Sequence, residues 1–195
     1  MKKSVLWKLI LAVLLLAAGV LSWQLYSRPV IPPALKNMGG DFTLMSSKGP
    51  LSLHDFKGKV VLVYFGYTHC PDICPTALGV IAGAIQHLPA DLADRAEGIF
   101  VSVDPRRDTP ALLDKYTAFF DPHIHGVTGS PEQLAKVAAA WRVGYSVPDA
   151  PVDSNYAVEH STFIYLVNPE GKVAALFDEK TSSDDIVSSI RRWLN

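Results

Sequence analysis

The chain has 195 residues, 49% of them hydrophobic and 19% charged, with a formal net charge of −1. That length suits one domain of about 150 residues plus an appendage, and such a domain buries a full core without disulfide staples. Three lysines and no acid precede residue 28, so the remainder carries −4. A mildly acidic body excludes nucleic acid as the natural partner.

Residues 1–26 read as a membrane segment. Lys2 and Lys3 open it, and an apolar run extends from Leu9 to Leu21. Extended through Val5-Leu6-Trp7 and through Ser22 to Tyr26, the run reaches bilayer length, with Lys8 placed to snorkel and Trp7, Trp23 and Tyr26 as interfacial anchors. The expectation is a single N-terminal transmembrane helix. The competing reading is a signal peptide cleaved near Ala17-Ala18-Gly19. Both readings export the chain beyond Tyr26, because the basic end stays cytoplasmic. Nothing here has the composition of an organellar transit peptide, so the expected location is a bacterial inner membrane, single-pass, with the C-terminal domain in the periplasm, where thiols oxidise readily. Residues 27–40, with Pro29, Pro32, Pro33, Gly39 and Gly40, read as a stiff Pro/Gly linker, and residues 41–195 as the folded domain.

Within that domain, Asp41 to Leu44 and Leu51 to Leu53 form a weakly signalled hairpin. Lys59 to Phe65 is the strongest strand, and its β-branched and aromatic run marks it as central and buried on both faces. Thr76 to Leu88 reads as a helix with Pro75 near its first turn. A second buried strand spans Ile99 to Val103, and helices follow over Pro110 to Phe120 and Pro131 to Trp141, the latter capped by Ser130. Phe163 to Val167 and Val173 to Phe177 flank the turn Asn168-Pro169-Glu170-Gly171 and pair as a hairpin, and Ser183 to Leu194 closes the chain as a helix. Strands alternating with helices and ending in a hairpin plus helix predict an α/β fold, a thioredoxin-like mixed sheet flanked by helices.

The only cysteines, Cys70 and Cys74, stand in Gly66-Tyr67-Thr68-His69-Cys70-Pro71-Asp72-Ile73-Cys74-Pro75, directly after the strongest strand. The C-terminal end of such a strand is where open α/β folds place their sites, and a helix start favours thiolate over thiol. Residues i and i+4 of a helix face one side, so the two sulfurs can converge on one atom or on each other. The pair is therefore a soft ligand set or a reversible disulfide. A purely structural bridge closing so short a loop would remove little unfolded-state entropy.

Six histidines are candidates for a further ligand. His160 is the best placed, on a loop just before a buried strand, which can bring it to the mouth of the sheet. His69 adjoins Cys70 and points elsewhere in an extended segment, which suits a supporting role. His123 and His125 read as a solvated loop with weak metal potential, and His54 and His87 as surface residues. Asp104-Pro105-Arg106-Arg107-Asp108-Thr109-Pro110 reaches the same end of the sheet, either as a helix-capping loop or as support for the site. The long connection from Val143 to Glu159 reads as a mobile flap that carries His160 to the thiols.

Four ordered motifs, Gly39 to Leu44, Phe65 to Pro75, Val101 to Pro110 and Val158 to Thr162, resemble the SCO/SenC family of copper-binding proteins. The resemblance covers about Gly39 to Leu194. It implies thioredoxin-like domains on a single membrane anchor that assist assembly of the dinuclear copper centre (CuA) of cytochrome c oxidase. It also implies copper ligation by Cys70, Cys74 and His160. Two thiolates and an imidazole suit Cu(I), and with added ligands Cu(II), whereas a structural zinc site wants four protein ligands. Ordinary thioredoxins place a cis-proline beside the thiols; His160-Ser161-Thr162 has none there, which leaves room for a metal and its ligand.

Two functions compete. One is a membrane-anchored periplasmic metallochaperone that takes copper from a periplasmic copper donor to the copper-binding subunit of cytochrome c oxidase or another periplasmic copper protein. The other is a thiol-disulfide oxidoreductase in which Cys70 and Cys74 are the catalytic pair that reduces the partner's cysteines. A peroxide-reducing enzyme fits less well, because the flanking residues differ from those of thiol peroxidases.

Overall fold

The computed structural model describes residues 7–8, 10–19, 30–152 and 154–194. Of the segment expected to cross a membrane, residues 7–8 and 10–19 are described, and they are helical. Among the described residues no helix is long and apolar enough to cross a membrane. The transmembrane helix expected over residues 1–26 is thus not seen as a continuous span, and much of it lies outside the described residues. The remainder, from Ile31 onward, forms one compact unit.

The centre of that unit is a five-stranded sheet in the order β5 (Ile124–Val127), β4 (Ala96–Ser102), β3 (Val60–Gly66), β8 (Ile164–Val167), β9 (Val173–Phe177). β3 pairs parallel with β4 and β4 parallel with β5, whereas β8 runs antiparallel to both β3 and β9. β1 (Thr43–Ser46) and β2 (Gly49–Ser52) make a separate hairpin, and β6 (Tyr145–Ser146) and β7 (Glu159–His160) a separate two-stranded ribbon. The helices are α1 (Ile73–Gln86), α2 (Pro110–Ala118), α3 (Pro131–Trp141) and α4 (Ser183–Leu194). This is the thioredoxin-like mixed sheet with flanking helices that the sequence predicts.

All of β3 is buried, as a strand covered on both faces must be. Its side chains alternate between two aromatic layers. On one face Phe65 packs against Trp141 and Tyr165, with ring centroids 5.8 Å from each. On the other, Tyr64 stacks on Phe100, and Phe100 meets Tyr116 of α2. Gly66 shares the Tyr64 face, which turns out to be the face of the thiols.

Three departures from the sequence expectation have physical causes. α1 starts at Ile73 rather than Thr76, which places Cys74 inside the first turn; Pro75 is tolerated there because the first-turn N–H groups have no intrahelical acceptor. β5 occupies part of the stretch that reads as a loop. It accepts Gly126 because α2 crosses it closely: a Cβ at that position would stand 2.9 Å from the Leu113 carbonyl oxygen. Residues 31–40, which compose like a spacer, pack on the domain. Pro33–Leu35 form a 3-10 turn with Leu35 buried, and the Gly39 N–H donates to the Ala140 carbonyl at 2.9 Å.

Glu97 on β4 is buried between Lys59, whose Nζ is 2.6 Å away, and His125, whose Nε2 is 3.0 Å away. Burial pushes its carboxyl up, but the His125 and Lys59 contacts prevail and hold it below the usual carboxylate range. A group whose acidity is increased by folding contributes stability above its unfolded pKa, and that contribution fades as pH falls through the folded value. Glu97→Gln is therefore expected to destabilise the protein by about 1–3 kcal/mol near neutrality. The gap from the parent should close as pH drops below about 4, measured by thermal unfolding across pH.

Candidate metal centre

β3 ends at Gly66, the chain turns through residues 67–72, and α1 begins at Ile73. Cys70 in the turn is half-buried and Cys74 in the helix is fully buried, and both are free thiols. The Cys74 N–H points at Cys70 Sγ from 3.5 Å. Burial pushes the Cys70 thiol up, but the backbone N–H groups of Cys74, Asp72 and Ile73 more than offset it, and its pKa lies below the ordinary thiol value. The Cys74 thiol is pushed up to about 12, first by burial and further by Cys70. The pair is asymmetric: a half-buried sulfur whose pKa is lowered and a fully buried one whose pKa is raised.

His160 arrives on β7, held in register opposite Tyr145 of β6 and followed by a bond from the Ser161 N–H to the Gly144 carbonyl at 2.9 Å. Its Nδ1 is 3.0 Å from the Ser161 carbonyl oxygen. A carbonyl only accepts, so Nδ1 carries the proton and Nε2 presents its lone pair. Nε2 lies 3.4 Å from Cys74 Sγ. Cys70 Sγ, Cys74 Sγ and a His160 ring nitrogen all fall within 4.8 Å of one another. The His160 ring stands edge-on to Tyr67 and Tyr64, at centroid distances of 5.8 and 6.1 Å.

Two features beneath the thiols were not legible in the sequence. Gly66 leaves the space that Cys74 fills, since a Cβ there would stand 2.7 Å from Cys74 Sγ. Tyr64 has a buried hydroxyl with no hydrogen-bond partner among the described residues. Burial and the neighbouring Cys74 push its pKa up, so the phenol keeps its proton. The parity of residues 64 and 66 along β3 is the one sequence signal that could have pointed to either.

The supporting loop is anchored by Asp108, which is fully buried. Its carboxylate accepts from the Thr68 N–H at 2.9 Å, the Thr68 hydroxyl at 2.5 Å and the Ser102 hydroxyl at 2.6 Å. These bonds fix the residue two positions before Cys70. His69 stays outside the three-donor cluster, with Nδ1 3.1 Å from Thr68 Oγ1 and 3.8 Å from Asp108. The other histidines are also elsewhere. His123 and His125 alternate to different partners, Asp121 and Glu97, while the His54 N–H donates to Asp41 and His87 faces Asp184.

Two thiol sulfurs and one imidazole nitrogen on a common centre fit copper, which as Cu(I) takes soft donors at low coordination number. Residues 32–195 match the sequence model of the family described as SCO1/SenC. The chain belongs to the SCO1/SenC family. It is 42% identical over 157 residues to the protein SCO2 homolog, mitochondrial, of Mus musculus, an alignment covering 80% of this chain and 62% of that protein. The chain thus spans about three fifths of the length of the curated Sco relatives it matches first. Among solved structures it is similar to Bradyrhizobium japonicum ScoI with copper bound, with TM-score 0.71 and 39% identity over 80% of this chain and 99% of that one. It is also similar to BsSco, with TM-score 0.63 and 27% identity over 85% of this chain and 98% of that one. BsSco is described as a member of the Sco family of cytochrome c oxidase assembly proteins, in which a disulfide switch was identified.

Proposed function

We propose that this chain is a copper chaperone. It holds copper on Cys70, Cys74 and His160 and hands it to a copper-binding partner, the copper subunit of cytochrome c oxidase or another exported copper protein, in support of CuA assembly. The observation that carries this reading is the convergence of the three donor atoms within 4.8 Å. The fixed His160 tautomer adds to it, because an imidazole whose Nδ1 is engaged by a carbonyl is oriented to ligate through Nε2. A solved relative of the same fold binds copper and another is described as an oxidase assembly protein, which supports both the cargo and its destination. The basic start at Lys2 and Lys3 and the apolar run from Leu9 to Leu21 support anchoring in a bacterial inner membrane with the domain in the periplasm.

The asymmetry of the thiols supports a second reading on the same site. An accessible acidic Cys70 can attack a partner's disulfide and form a mixed disulfide, which Cys74 then resolves. Two electrons and two protons pass to the partner, leaving Cys70 and Cys74 joined. His160 separates the two readings, since disulfide exchange needs no imidazole ligand.

The test is a Cu(I) titration of the reduced full chain in detergent against a competing chelator, beside His160→Ala. One-to-one binding weakened by at least about 10-fold in the variant is the expected result. Weak binding indifferent to His160, with disulfide exchange intact, moves the function to thiol chemistry.

A further inference from the structure

The arm that carries His160 belongs to a ribbon outside the central sheet, so no ladder bond of that sheet holds it over the thiols. Part of what holds it comes from the loop after β4. Arg106 donates to the carbonyls of Pro148 and Ala150, at 3.4 and 2.6 Å. Arg107 reaches further in. Its Nε donates to Asp104 Oδ2 at 2.5 Å and its Nη1 to the Tyr156 carbonyl at 2.9 Å, four residues before His160. Asp104 closes the circuit by accepting the Tyr156 hydroxyl at 2.9 Å. The guanidinium lies over the Tyr156 ring, 3.4 Å from its centroid, and 5.5 Å from the centroid of Tyr67. Tyr67 is the ring that abuts His160 and the residue that opens the thiol loop.

We propose that Arg107 is a positioning residue for copper, a latch that joins the His160 arm to the thiol loop and so sets whether Nε2 stands over the sulfurs. The proposal rests on the reading of Cys70, Cys74 and His160 as the copper ligands. The side chain is nearly fully buried, yet its Nη2 has no hydrogen-bond partner among the described residues. A buried guanidinium short of one partner is held with little margin, which suits a contact that opens and closes better than a permanent rivet. Lysine cannot replace it. A single ammonium beside Asp104 keeps the charge but cannot also make the Nη1–H bond to the Tyr156 carbonyl, and it loses the flat guanidinium face over the Tyr156 ring.

The experiment is a double-mutant cycle on the reduced full chain, with Cu(I) affinity read against a competing chelator for the parent, Arg107→Lys, His160→Ala and the double variant. Arg107→Lys is expected to weaken binding about 10- to 100-fold in the parent background. In the His160→Ala background it should change affinity by about twofold or less, because the ligand it positions is gone. Amide exchange of the metal-free Arg107→Lys protein should rise over Val158 to Ser161 and stay unchanged over β3. Tyr156→Phe, which removes only the hydroxyl bond to Asp104, should shift affinity in the same direction by less. Equal weakening in both backgrounds, or none in either, overturns the latch. Parent-like affinity of His160→Ala itself overturns the ligand set beneath it, a result visible without any Arg107 variant.

Discussion

Gly66→Ala is expected to abolish tight Cu(I) binding and to destabilise the fold at the same time. The added methyl would stand 2.7 Å from Cys74 Sγ, 2.9 Å from Phe100 Cε2 and 3.2 Å from Tyr64 Cε1. All three neighbours are fully buried, so none can swing into solvent to make room. Inserting a methyl into a packed core costs about 1–3 kcal/mol through forced side-chain and backbone shifts. The sulfur is the smallest obstacle and sits at the start of a helix, so the displacement falls on Cys74 and α1 moves outward with it. Cu(I) titration should show loss of the tight one-to-one site, and thermal unfolding should show a lower midpoint. A variant that binds copper like the parent would mean that the thiol loop and α1 shift together, carrying both sulfurs.

Asp108→Ala is expected to cause the largest loss of stability of any single change near the site. Truncation removes a buried carboxylate and strands three donors, the Thr68 N–H, the Thr68 hydroxyl and the Ser102 hydroxyl. Breaking a buried charged network in this way costs about 3–5 kcal/mol. Asp108→Asn keeps the shape and one acceptor oxygen and should recover part of the loss. The effect reaches the site through Thr68, so the Cys70 thiol should be alkylated faster in both variants than in the parent. Unfolding midpoints and alkylation rates measured together distinguish a loosened thiol loop from general destabilisation, in which buried Cys74 would react faster as well.

The sequence made some of this plain and hid the rest for definite reasons. β3, the closing hairpin of β8 and β9, α3 with its Ser130 cap and α4 were legible, because long apolar runs, a turn tetrad and caps are local signals. The thiol pair and His160 were legible because residue type and position narrow the chemistry before any geometry is known. β5 was hidden because Ile124 and Val127 are only two β-formers in a four-residue stretch interrupted by His125 and Gly126; α2 and β4 on either side make it a strand. The role of Gly66 depends on a sulfur eight residues along the chain that returns to the same face. The role of Arg107 depends on a carbonyl 49 residues away. Residues 31–40 compose like a linker, and Pro and Gly content says nothing about whether a buried leucine among them finds a wall.

The spacing of the donors in the chain has a further consequence. Cys74 and His160 are separated by 86 residues and meet at 3.4 Å only in the folded domain. A copper ion gripping both sides therefore closes a long covalent loop, and an unfolded chain can keep that closure only at a large entropic cost. Cargo that binds the folded state and not the unfolded one raises the melting temperature by mass action. On the chaperone reading proposed above, the copper-loaded form is then the heat-resistant, protease-resistant one, and giving up the copper returns a softer molecule whose lifetime is shorter while it is empty.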